Sequence, residues 1–421
     1  MKIRNFRWWI AGLLLVASIL NYVDRQTLSI LAPTIQKDLA LSDAEYGHIV
    51  SLFLVAYTIA YLVSGRIVDA LGPRLSLALF VGGWSIANML TGLARSAFSL
   101  GAFRFLLGLG EAGGYTASPK IVSQWFPPKD RGIAVGLYSV GGALGATIAP
   151  LLVLFLAERY GWRGAFVVTG AFGLVFVAVW LVVFRAPEKH PWITPEERAL
   201  ILGGEPAATT AEPKLSEGAR WKIIGTTPAL WALMLARLLT DPVWYFFQFW
   251  MPKYLHSERG FEQRELANMW MIYLAADIGF VGSGFVSGWL IGRGAEARTA
   301  RLRTMFGCAL LVPLAPLIAL SSGNVGVFAV SMIVVLAHTA WLASISTFVV
   351  DLVPKPILGT AFGFVAAGSA VGGILMNQGV TWTIAHGSYD ACFYAMVALH
   401  PLAFLLLWKF ARRPWVLARA E

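Results

Sequence analysis

Twelve times between residues 8 and 411 the sequence returns to an apolar stretch of about 20 residues, enough for a helix to cross a hydrocarbon core of about 30 Å. Such a core offers backbone groups no water, so each stretch must satisfy its own hydrogen bonds as a helix. The stretches lie at roughly 8–32, 45–66, 74–95, 98–120, 132–155, 164–184, 226–250, 266–291, 303–320, 325–350, 359–385 and 389–411. With 57 % hydrophobic residues, 13 % charged residues and a mean hydropathy of +0.67, no soluble domain is left over. The expected fold is an all-α polytopic membrane protein with twelve transmembrane helices. Lys2, Arg4 and Arg7 precede the first stretch as in a signal peptide, but no small-residue cleavage site follows Tyr22, so it is expected to stay as a span.

A formal charge of +10 invites a nucleic-acid partner, yet the basic residues fall in short loops between apolar runs and form no basic stripe. With the N-terminus placed inside, 23 of the 33 Lys and Arg fall on that side. This excess predicts both termini in the cytoplasm. Cys308 and Cys392 sit in apolar surroundings and suggest no disulfide framework. An enzyme reading finds no nucleotide loop, metal set or nucleophile triad, and Gly108–Gly114 lies within a span. No cofactor is expected.

Residues 185–225 form the one long polar stretch and divide the chain into an N-terminal half, 1–184, and a C-terminal half, 226–421. A short helix is expected there at Pro195, capped by Thr194. Across this linker, Pro127, Gly132, Gly136, Gly141 and Gly145 recur at an offset of 227 as Pro354, Gly359, Gly363, Gly368 and Gly372. An offset of six helices keeps both copies in the same orientation, which predicts two parallel six-helix repeats. Close helix contact alone also explains such glycines.

Charged groups inside the spans carry the functional signal. Arg104 and Glu111, seven residues apart, share one helix face. Unpaired exposure to lipid is costly, so that face looks either into a buried structural pair or into a watery substrate site. The first span adds Asn21, Tyr22, Asp24 and Arg25, the second Tyr57, and the third and fifth Asn88 and Tyr138. Two guanidinium forks suit an organic anion, while a desolvated carboxylic acid can carry a proton. Arg25 and Arg104 are therefore the expected anion binders, and Asp24 and Glu111 the proton-coupling groups. Asp24–Arg25 also reads as a self-neutralising helix end, and Tyr22 and Tyr57 as interfacial aromatics.

In the C-terminal half, Arg237 and Asp241 stand at i,i+4 and are expected to neutralise one another. Pro242 follows, and the loss of helical regularity expected there raises the prospect of substrate contact at Asp241. Asp277, His338 and Asn377-Gln378 are further polar positions, and His338 reads better as a helix-contact histidine than as a proton relay. Between the second and third spans, GRIVDALGPR places Asp69 and Arg74 where a carboxylate can meet helix N-termini or basic groups of another span, as a gate.

GRIVDALGPR resembles the loop motif of the major facilitator superfamily, with Ala70 where a basic residue is usual. Asn21-Tyr22-Val23-Asp24-Arg25, the Arg104 to Glu111 pattern, and Trp125-Phe126-Pro127 with Arg131 are similar to the anion:cation symporter branch. Residues 236–255, ARLLTDPVWYFFQFWMPKYL, resemble bacterial hexuronate transporters. The resemblance implies substrate contacts at Tyr22, Arg25, Tyr57 and Arg104, with Asp24 and Glu111 coupling protons. The branch's polar contacts in the fifth and eleventh spans are not matched, since Gly142 and Ala366 occupy that region, leaving Asn377 as a substitute. The expected function is proton-coupled import of hexuronates, glucuronate and galacturonate, by a monomer using alternating access. Galactonate or tartrate uptake, proton-driven efflux, and a non-transporting sensor are the rivals.

Overall fold

The computed structural model describes residues 2–203, 216–261, 268–385 and 388–411. Much of the polar linker, at 204–215, lies outside the described residues, as do the basic positions 214, 264, 412, 413 and 419. The described chain is helical apart from turns and one isolated parallel bridge between Ile3 and Ile193.

The helices are α1 (Arg7–Leu39), α2 (Asp43–Thr91), α3 (Ala97–Trp125), α4 (Pro128–Val183), α5 (Pro195–Leu202), α6 (Glu217–Thr226), α7 (Pro228–Tyr245), α8 (Met251–Arg259), α9 (Trp270–Gly292), α10 (Ala297–Leu311), α11 (Pro316–Leu320), α12 (Asn324–Leu352), α13 (Leu358–Ala385) and α14 (Asp390–Phe410). Two of them hold two spans each. α2 breaks at Gly72 (φ 73°) and α4 at Gly161 (φ 70°), both in the left-handed region where glycine bears no Cβ penalty. A π-helical turn over Phe246–Trp250 joins α7 to α8, and α10 and α11 likewise run on as one span. Twelve membrane-length segments result among the described residues, as the apolar stretches require. Charge interrupts α1 at Asp24 and Arg25, α3 at Arg104 and Glu111, and α7 at Arg237 and Asp241.

Local sequence explains several ends. Ser42 and Glu45 form a capping box at the start of α2, and Ser96 and Ser99 do so for α3. Thr194 accepts the Glu197 amide at the start of α5, as its position predicted. Two expectations shift. α1 continues past Pro33 to Leu39 and ends only where Ala40 turns left-handed. Backbone irregularity is not at Asp241–Pro242, where α7 stays helical, but four residues on, in the π turn. Asp241 therefore sits in regular helix.

The chain groups into two compact units. The first comprises Met1–Pro127, Leu137–Glu212 and Lys355–Gly363, the second Pro128–Gly136, Pro213–Pro354 and Phe364–Glu421. In the first unit Trp84, Trp125, Trp180 and Phe166 are fully buried, and in the second Trp341 and Phe348. Leu54, Val63, Leu151, Val182, Leu310 and Leu405 are exposed, the outward apolar surface a bilayer covers.

The five-residue repeat is carried out as backbone contact. A Cβ at Gly132 would stand 2.8 Å from Gly284 Cα, and one at Gly136 2.5 Å from the Phe280 carbonyl oxygen, both on α9. Their counterpart Gly359 would meet the Gly65 carbonyl oxygen of α2 at 2.5 Å. Gly145 packs on Ile19 of α1 and Gly372 on Leu238 of α7 in the same way, at 2.7 and 2.5 Å. Each copy is thus used twice along one helix, in equivalent places.

At the chain start, the Phe6 and Arg7 amides and the Arg7 guanidinium all donate to Glu197 of α5. Phe6, Trp125 and Trp192 enclose His190, whose burial lowers its pKa.

Candidate functional site

α1 and α3 bring the predicted charged residues of the first unit together, though not in the pairing their spacing suggests. Glu111 hydrogen-bonds to Arg25 of α1 and not to Arg104 on its own helix. Nε and Nη2 of Arg25 converge on Glu111 Oε2 at 2.8 and 2.7 Å, and Oε1 has no hydrogen-bond partner among the described residues. Nη2 also donates to Asn21 Oδ1 at 3.3 Å. The guanidinium stacks on three rings, 4.8 Å from the Tyr57 centroid, 5.0 Å from Tyr22 and 5.4 Å from Phe53. Tyr57 and Tyr61 are linked through their hydroxyls at 3.0 Å. Tyr22 lies flat against Gly142, where a Cβ would stand 2.8 Å from the ring. Gly142 is thus a socket for Tyr22 rather than a lost polar contact.

Asp24 points to the other side of α1. Its Oδ1 accepts from Asn88 Nδ2 at 2.7 Å, and the same amide donates to Thr169 Oγ1 at 2.8 Å. Asn88 therefore ties α1, α2 and α4 through one buried group. Neutral donors hold this carboxylate, where a guanidinium holds Glu111.

Arg104 is 2 % exposed. It lies over the Phe166 ring at 5.3 Å, while its Nε and Nη2 have no hydrogen-bond partner among the described residues. A buried guanidinium with unmet donors is costly, and a planar anion is the group that satisfies it in one step.

The second unit resolves its charges locally. Arg237 donates to Asp241 Oδ2 through Nε at 2.7 Å, and Thr240 reaches Oδ1 at 3.5 Å. Trp341 donates to Thr240 Oγ1 at 3.1 Å. Tyr245 and Ser369 share a hydrogen bond at 3.2 Å. His338 meets His400 at 3.1 Å, Nδ1 to Nε2, with both rings fully buried, a helix contact as its setting suggested. The Asn377 side chain lies outside the described residues. Nothing in the structure explains Asp277.

Asp69 gathers four donors. Lys120 Nζ and the Gly359 amide reach Oδ1 at 2.7 and 3.0 Å, and the Thr360 amide and hydroxyl reach Oδ2 at 2.8 and 2.6 Å. These amides open α13, so the carboxylate sits on a helix N-terminus as well as on a cation. Arg74 is elsewhere, donating to the Leu181 carbonyl oxygen, and its own carbonyl accepts from Trp180. In the second unit Asp351 binds Arg131 at 2.9 Å and Arg301 at 3.1 Å. Arg301 also donates to Ser287 and to the Pro128 carbonyl oxygen. Thr169, Lys120 and Asp351 were not singled out in the sequence. Lys120 and Asp351, charged residues near span ends, gave a signal, whereas Thr169 gave none.

The comparisons with known proteins agree with this picture. Residues 14–376 match the family model described as Major Facilitator Superfamily. A galacturonate transporter of Dickeya chrysanthemi is 32 % identical over 328 residues, covering 78 % of this chain and 93 % of that one. A hexuronate transporter of Escherichia coli K12 is 28 % identical over 418 residues, covering 97 % and 94 %. Among solved structures, the proton:xylose symporter XylE superposes with a TM-score of 0.74 at 15 % identity, covering 96 % of each chain, and shares the fold. Fold, matched family and transporter relatives lead to one conclusion: this chain belongs to the major facilitator superfamily, as a multi-span membrane transporter and not an enzyme.

Proposed function

We propose that the protein carries hexuronates, galacturonate and glucuronate first, into the cell together with protons, working as a monomer in a bacterial inner membrane with both termini cytoplasmic. One observation carries the reading: Arg104 is buried with two guanidinium nitrogens unmet, and a hexuronate carboxylate fits that fork. The relatives named galacturonate and hexuronate transporters support the substrate class.

Coupling follows from the Arg25–Glu111 pair. A proton on Glu111 removes the charge that holds Arg25, and the freed guanidinium, already stacked on Tyr22 and Tyr57, becomes a second anion site. Loss of the proton restores the pair and expels the anion. Asp24, held by an Asn88 amide that also donates to Thr169 and without a cation in hydrogen-bond contact, is the second proton site. Tyr22 and Tyr57 offer hydroxyls and ring faces to the sugar. Asp69 holds the gate with Lys120, and Arg74 braces it through α4.

Proteoliposomes with an imposed pH gradient test this. Labelled glucuronate should accumulate when the outside is acidic, in the absence of sodium, and galacturonate should compete better than galactonate or tartrate. Accumulation that follows a sodium gradient and ignores pH would overturn the proton assignment, and equal inhibition by all four acids would overturn the hexuronate one.

A further inference from the structure

One cleft in the second unit carries chemistry that transport leaves unused. It lies between the first turns of α4 and the last two turns of α9, encloses about 360 Å³, and is lined by Lys129, Asp130, Ile133, Phe285, Trp289 and Arg293. That volume is within the range of small-ligand sites. Two glycines shape it. A Cβ at Gly288 would stand 2.9 Å from the Lys129 carbonyl oxygen, so the helices touch backbone to backbone beneath it. At Gly292 the missing side chain leaves room for the Lys129 stem, whose Nζ lies 3.7 Å from the position a Cβ would take. The next residue, Arg293, holds its guanidinium 3.9 Å over the Trp289 ring. Two exposed cations are thus set in place at one end of the cleft. Its wall is apolar, with Phe285 59 % and Trp289 55 % exposed.

The level of these groups identifies the occupant. The apolar span of α9 ends at Gly292 and α4 begins at Pro128, so the cations stand where hydrocarbon gives way to headgroups, while Phe285 lies about two turns deeper. Lys129 and Arg293 against Asp130 leave one net positive charge, the complement of a phosphodiester monoanion. A soluble anion would leave the aromatic wall unused, and a neutral lipid would leave the cations unused. We infer that this cleft binds an anionic phospholipid, with the phosphodiester between Lys129 and Arg293 and an acyl chain along Phe285 and Trp289.

Native mass spectrometry of the full-length protein in detergent, titrated with phosphatidylglycerol or phosphatidylcholine, tests the site. Wild type should retain phosphatidylglycerol preferentially. Lys129→Gln and Arg293→Gln should each weaken that retention about fivefold, and the double variant about 25-fold. Arg159→Gln, which removes another exposed cation resting on an aromatic ring, should leave it unchanged. Thermal unfolding of all variants should match wild type, since the removed groups are exposed. Phosphatidylglycerol carrying a bromine on its acyl chain should quench tryptophan emission less in Trp289→Phe than in wild type. Equal retention of both lipids by wild type, an Arg159→Gln loss as large as the others, an undiminished double variant, unchanged quenching in Trp289→Phe, or displacement of the lipid by millimolar inorganic phosphate would each overturn the assignment.

Discussion

Two arginine-carboxylate pairs, one in each unit, show how the same chemistry is put to different ends. Arg237 and Asp241 sit one turn apart on α7 at 2.7 Å, and the remaining carboxylate oxygen meets Thr240, itself held by Trp341. Arg25 and Glu111 come from different helices, leave Glu111 Oε1 unmet, and lie in the same unit as an Arg104 with two unmet nitrogens. The closed pair completes itself within one helix, whereas the open pair between helices is the one proposed to take up a proton and an anion. Isolated buried charge costs several kcal/mol, which makes such incompleteness a candidate ligand site.

The largest expected effect breaks the open side. Arg104→Ala should abolish uptake and weaken glucuronate binding by about 100-fold, the loss of one or two charge-assisted hydrogen bonds. Binding measured by calorimetry on purified protein checks this, and unchanged affinity would make the two units alike after all. Next, Glu111→Gln should lose pH-driven accumulation while retaining exchange of labelled for unlabelled substrate in proteoliposomes. Full accumulation by that variant would take the proton away from the open pair.

The closed pair should respond in stability instead. Asp241→Leu alone leaves a buried cation and should cost about 3 to 5 kcal/mol, whereas Arg237→Met with Asp241→Leu should come within about 1 kcal/mol of wild type. Thermal unfolding in detergent measures both, and a double variant that is stable yet binds no glucuronate would move Asp241 into the substrate site. Among the single variants the smallest effect belongs to Thr240→Val, which orphans the Trp341 indole N–H at a cost of about 1 to 3 kcal/mol, read by the same unfolding series.

Much of this was legible in the residues. Apolar length gave the spans, and the 227-residue offset the paired glycine contacts. Arg104 and Glu111 marked a candidate site because charge inside a membrane span is costly. Their partners were not legible. A spacing of seven puts both on one helix face, yet Glu111 reaches Arg25, because pairing is decided by how helices pack and not by position along one of them. Asn88 meets Asp24 and Thr169 for the same reason. The GRIVDALGPR loop marked Asp69 as a carboxylate seeking an N-terminus, but only the packing identifies Gly359, Thr360 and Lys120 as what it finds.

That carboxylate has a kinetic consequence. With two donors on each oxygen, Asp69 cannot loosen by degrees, because losing one contact strands the others in strained geometry while the charge gains no hydration. In the proposed gate, release is therefore all at once or not at all, so the dwell before each opening should lengthen with every donor, and Asp69→Asn, keeping the shape but not the charge, should shorten it.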